Sequence, residues 1–171
     1  MGFRLDLVIS AIIVGILIIL IFGLNSSMLQ NSVDTMLYNN MQTFADVSTE
    51  VLQEEIKMAS NILQPTNPAS PDSVLRFVTT NGDTLKVERS GRNIQIIKQN
   101  ITSDTLSYDL HLSSLQFDLQ PDTVAVPYYL FVKIQTESQK SQHASFQKDV
   151  QTAKAFSEVR YYLRNVRMKY N

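Results

Sequence analysis

Cysteine is absent from the 171 residues, which excludes a disulfide framework, a thiolate metal site and a lipid-bearing N-terminal thiol. Any domain built from this chain must therefore hold together by its core alone. An excess of either charge is also missing: 15 Lys and Arg face 16 Asp and Glu, for a formal net charge of -1. No strong field favours nucleic acid as a partner. The motifs of catalysis are equally scarce. The two histidines, His111 and His143, have no metal-ligand spacing around them, and no G-x-S-x-G elbow occurs. The five glycines form no phosphate-cradling loop. Asn81-Gly82-Asp83 alone lacks the ligand count for calcium and reads as a turn. Neither an enzyme nor a cofactor-binding protein is expected, and no catalytic or metal-ligating residue is assigned.

Two absences are local, and they organise the chain. Residues 7–24, LVISAIIVGILIILIFGL, hold no charged side chain. At 1.5 Å rise per residue they would span about 27 Å, close to the hydrocarbon thickness of a bilayer. Leu7, Ile12, Ile16, Ile19 and Phe22 are the apolar markers of this segment. A buried core helix would seldom be apolar on every face. A cleaved secretory signal would have a shorter apolar region and a small-x-small site, which Phe22-Gly23-Leu24-Asn25-Ser26-Ser27 does not supply. A retained single-pass membrane helix is expected. Arg4 in the short N-terminal arm favours a cytoplasmic N-terminus, placing the rest of the chain outside.

Proline and glycine are both missing from residues 25–63. Leu29, Val33, Met36, Phe44, Val47, Val51, Ile56, Ala59 and Leu63 recur there at helical spacing, with Asp34, Asp46, Glu50, Glu54 and Lys57 off that stripe. The reading is one long helix over 1–63, transmembrane in its first half and amphipathic in its second. A break at Asn25-Ser26-Ser27, residues that often cap helices, is the alternative. Pro65 and Asn67-Pro68-Ala69-Ser70-Pro71-Asp72 make 64–72 a proline-rich loop.

From 73 to 171 the period changes to alternation. Val74–Thr79 and Thr84–Arg89 flank the Asn81-Gly82 turn, Ser90-Gly91-Arg92 turns again, and Asn93–Lys98 follows. Ile101 and Leu106 punctuate a polar connection in which His111, on the strand after it, faces solvent. Leu110, Leu112, Leu115, Phe117 and Leu119 alternate with a phase slip near Ser113-Ser114, and Pro121-Asp122 turns. Tyr128–Ile134 reads as a buried strand, with Tyr129, Phe131 and Lys133 opposite Leu130, Val132 and Ile134. Gln135–Lys148 reads as an exposed loop. Phe156–Tyr170 fits a helix or a strand, and its valine and tyrosine content favours the strand. The cations Arg160, Arg164, Arg167 and Lys169 are read as the solvated face of the last strand, with partner docking as the alternative. The fold class is α+β: a long N-terminal helix packed against an antiparallel β-sheet.

This arrangement resembles the type IV pilin superfamily. Gly2-Phe3, Asp6 and the run Ala11-Ile12-Ile13-Val14-Gly15-Ile16-Leu17 look like a prepilin processing motif and its helix. Leu112-Ser113-Ser114-Leu115-Gln116-Phe117, the strand after Pro127, and Phe156-Ser157-Glu158-Val159-Arg160 look like the heads of minor pilins and minor pseudopilins of the W and J classes. Only Met1-Gly2 precede Phe3, Leu7 occupies the fifth position after the processing site, and the family's helix-softening proline is missing near Leu24.

The resemblance implies a structural subunit of a type IV pilus or type II secretion filament in the bacterial inner membrane, its head periplasmic or extracellular. Its partners would be other pilin or pseudopilin subunits, membrane lipid and a prepilin peptidase acting between Gly2 and Phe3. Asp6 would pair with a cation on a neighbouring subunit and set axial register, or else sit solvated among headgroups with Arg4. The other reading is a stand-alone, membrane-anchored periplasmic binding module.

Overall fold

The computed structural model describes residues 5–65, 71–99, 103–120, 128–138, 152–163 and 166. The chain divides into two compact units, residues 1–37 and 38–171. Helix α1, Leu5–Ile56, supplies the first unit and opens the second. It runs through Asn25-Ser26-Ser27 without a break.

The helix ends earlier than residue 63. Met58 N donates to Glu55 O, closing a tight last turn, and the chain enters strand β1, Ala59–Gln64, rather than continuing as helix. Apolar residues at 56, 59 and 63 satisfy a helical period, but the strand buries Ala59 and Ile62 and leaves Leu63 42% exposed. Pairing with a neighbouring strand supplies what local propensity does not. Ser60 Oγ donates to the carbonyls of Val78 and Thr79, and Thr80 N donates to Met58 O.

Strands β2 (Val74–Thr79), β3 (Thr84–Ser90), β4 (Asn93–Gln99) and β5 (Asp104–Asp109) continue an antiparallel sheet of order β1-β2-β3-β4-β5. The expected turns are in place. Gly82, at φ 87°, serves the β2–β3 hairpin. Gly91, at φ 61°, holds the first central position of the two-residue β3–β4 loop, where positive φ suits glycine. The polar connection expected around Leu106 is instead the edge strand β5.

Strands β6 (Leu112–Gln120), β7 (Tyr128–Glu137) and β8 (Lys154–Leu163) form a second, separate antiparallel sheet of order β6-β7-β8. The single sheet expected from the sequence is thus two. The chain passes between them at His111, whose φ of 53° turns the backbone out of strand geometry. The phase slip at Ser113-Ser114 is a register shift between Leu112 and Ser114. The ambiguous C-terminal segment is a strand over Lys154–Leu163, and β7 extends through Gln135–Glu137, so the polar stretch begins later than expected. The sheets meet where Asp72 and Phe117 exchange backbone hydrogen bonds of 2.8 and 2.7 Å. The Gln64 side-chain amide donates to the Asp72 carboxylate, which is thereby held below the usual carboxylate range.

One contiguous core joins both sheets to the helix, with Phe77, Phe117, Leu52, Leu75, Leu119 and Leu130 wholly buried. The buried seam of α1 is Met41, Ala45, Ser48, Leu52 and Ile56. The expected stripe through Phe44, Val47 and Val51 lies on its flank: Val47 is exposed, and Phe44 and Val51 are only partly buried. Ala45 and Ser48, both wholly buried, carry no large apolar side chain and so leave no mark in the apolar period. Their small size lets the sheet approach the helix closely, and Ser48 satisfies its hydroxyl by donating to Phe44 O at 2.6 Å.

Side-chain donors tie that seam to the three-stranded sheet. Thr136 Oγ1 donates to Met41 O, and Tyr161 OH to Thr49 O, each at 2.8 Å. Burial pushes the Tyr161 phenol up to about 12 from its ordinary value of 10.0. Below pH 10 the phenol is neutral folded or unfolded, and its contribution is complete. As pH rises from 10 towards 12 the unfolded chain ionises first, and that contribution is lost. Tyr161→Phe should therefore lower stability by about 1 kcal/mol at pH 8, and the gap to the unsubstituted chain should narrow by pH 11. Urea midpoints of both proteins at the two pH values check this.

Candidate functional site: the exposed apolar helix

The described residues of the first unit, from Leu5, are helix, and their side chains are described from Ile9 onward. Leucine and isoleucine propagate a helix well in the absence of proline, and nothing in the sequence interrupts the backbone ladder. What distinguishes this helix is that its apolar surface is not covered. Ile12 and Ile16 are more than half exposed, Ile19 is 72% exposed and Phe22 is 71% exposed. None of its most apolar 18-residue window is buried within the chain. A soluble domain exposes single apolar side chains but not a whole cylinder of them. The helix is long and apolar enough to cross a membrane.

Of the residues singled out in the sequence, Ile12, Ile16, Ile19 and Phe22 lie on this surface. Asp6 and Leu7 fall within α1, their side chains outside the described set, and Gly2 and Phe3 lie outside the described residues. A Cβ built at Gly15 or Gly23 meets nothing within 4 Å, so neither glycine serves packing inside the chain. Past the apolar run, Met28, Leu29, Val33 and Met36 remain exposed beside Asn31 and Asp34.

A polar cleft of about 370 Å³ is lined by Asp72, Arg89, Ser113 and Ser114. Arg89 there donates to the carbonyls of Leu112 and Ser113, and none of the lining residues is a histidine that could activate a serine. His111 does not face solvent on a strand as expected. Its ring stacks on Phe44 with centroids 4.8 Å apart, and the Arg92 guanidinium packs against its ring nitrogens. Nothing in the sequence linked residues 44, 92 and 111, because stacking and a positive φ leave no periodic trace. Among the described residues, no three His, Asp or Glu side chains gather as a metal site.

On the outer face of the three-stranded sheet, Arg160 lies 3.5 Å from the Tyr129 ring centroid and 5.4 Å from that of Phe131. Arg160 is exposed, as the solvated-face reading expects, and its guanidinium lies over these rings, while Tyr162 packs against Tyr129 at 5.3 Å. The adjacent tyrosines 161 and 162 divide between the two faces, one buried and one exposed. Arg164, Arg167 and Lys169 lie outside the described residues.

No protein-family model, no curated protein and no solved structure matches this chain.

Proposed function

We propose that this chain is a structural subunit of a pilin-like filament, of the type IV pilus or type II secretion kind, that assembles through its N-terminal helix. One observation carries the reading. An uncovered apolar helix continues, without a break, into a second half seated along two antiparallel sheets. The uncovered half needs lipid or other helices around it, while the seated half fixes the head to it. The prepilin-like Gly2-Phe3 and Asp6 add a chemical reason for helices as neighbours. Cleavage before Phe3 creates a new amine, and a carboxylate at the membrane edge is stabilised by such a cation on an adjacent subunit. In this reading the N-terminus faces the cytoplasm and the head faces the periplasm or the exterior, and the chain performs no catalysis.

A second reading, a plain membrane anchor bearing a binding head, is favoured by one specific feature: Leu7 rather than an acid stands at the fifth position after the processing site. Mass spectrometry of the N-terminal peptide from native membranes separates the two. The filament reading expects a peptide beginning at N-methylated Phe3, and it expects Asp6→Asn to abolish recovery of the chain in sheared filaments. An intact Met1, with Asp6→Asn leaving fractionation unchanged, would leave the plain anchor.

A further inference from the structure

Strand β5 ends the five-stranded sheet, and all six of its residues are exposed. In register, Leu106 stands opposite Ile96 and Tyr108 opposite Ile94, so both lie on the side of the sheet that elsewhere forms the core. Yet Leu106 is 45% and Tyr108 37% exposed. The flank of α1 borders this overhang. Glu55 lines the same small cavity as Leu106, Phe44 stacks on His111 just beyond the strand, and the exposed Val47 lies between them along the helix. Among the described residues no strand pairs with the outer edge of β5, and an unpaired edge beside uncovered apolar side chains is a template for an added strand. The other outer strand of this sheet, β1, is broken by two register shifts; the pairing of β5 with β4 has none.

Charge decides what can dock. Asp104 and Asp109 mark the two ends of β5. Strand β5 itself carries no Lys or Arg, so a second copy's β5 added at this edge would bring two more carboxylates and no cation to meet them. At the Asp104 end the cavity holds two carboxylates, Glu55 and Asp104, against one ammonium, Lys98, and Glu55 Oε2 is buried with no hydrogen-bond partner among the described residues. That orphaned oxygen lacks a donor.

We propose that the free edge of β5 binds an extended segment of a partner protein that carries a cation at each end, one reaching Glu55 and Asp104 and the other Asp109, with apolar side chains between them covering Leu106 and Tyr108. The proposal goes beyond the filament reading and holds whether α1 is surrounded by helices or by lipid.

The test is fluorescence anisotropy of the full chain in detergent micelles with a labelled peptide, Lys-Val-Thr-Val-Thr-Lys, against its Glu-ended counterpart. The Lys-ended peptide should bind about tenfold more tightly, since two or three exposed ion pairs together supply that ratio. The triple variant Glu55→Gln/Asp104→Asn/Asp109→Asn should bring the two peptides to within about twofold. N-methylation of alternate backbone nitrogens should abolish binding in one phase and spare it in the other, as only strand addition requires. Equal binding of both peptides, or indifference to N-methylation in both phases, would overturn the proposal. So would self-association of the chain that competes with the peptide, which would assign the edge to a second copy.

Discussion

Arginine at positions 12, 16 and 19 together should release the chain from the membrane. Each cation near the centre of a spanning helix disfavours insertion by roughly 2.5–3.5 kcal/mol, so three of them oppose it by on the order of 8–10 kcal/mol. The replaced side chains, Ile12, Ile16 and Ile19, make no compensating contacts, because all three are exposed. Alkaline carbonate extraction should therefore move the triple variant from pellet to supernatant. The urea midpoint of the head, whose core begins at Met41, should stay where it was. Retention in the pellet would mean that something other than lipid holds the helix.

The second large effect concerns the head. Phe117→Ala should destabilise it by about 3–5 kcal/mol, a large part of the 5–15 kcal/mol typical of a domain. Phe117 is wholly buried, it pairs with Val132 across β6 and β7, and its backbone holds Asp72 from the other side. Removing the ring leaves a cavity at the junction of both sheets, where collapse would have to move two ladders at once. Phe156→Ala is the matched control, since Phe156 is 68% exposed, and its effect should stay within about 0.5 kcal/mol. Tyrosine fluorescence through a urea titration measures both, because the chain has no tryptophan.

Much of this architecture could be read from the chain before its coordinates. Long-period apolar runs and strong turn residues are local signals, so α1, the Asn81-Gly82 and Gly91 hairpins and the face assignment in β7 were legible. The failures share a cause. Ala59–Gln64 has no breaker before it, and it becomes a strand only because β2 offers an edge. Leu106 and Tyr108 sit in a polar segment that takes its strand form from β4. The seam of α1 uses Ala45 and Ser48, which a search for large apolar residues passes over. The division into two sheets turns on one positive φ at His111, a residue with no strong preference for it. Of the candidate site, the apolar surface was fully legible because membrane solvation is a property of composition. The edge of β5 was not, since an unpaired edge is defined by what fails to lie beside it.

The two hydrogen bonds from Thr136 and Tyr161 to the helix backbone also set a schedule for synthesis. They join residues 95 and 112 positions apart in the chain. The helix leaves the ribosome first, and its partners follow on the order of ten seconds later at ordinary elongation rates. During that interval the groove-facing side of α1 stands without its sheet. A seam of leucines there would invite aggregation or capture by lipid. Ala45 and Ser48 interrupt the larger apolar side chains of that seam, Met41, Leu52 and Ile56, so the same small residues that face the sheets in the finished head also leave less apolar surface bare while the nascent helix waits.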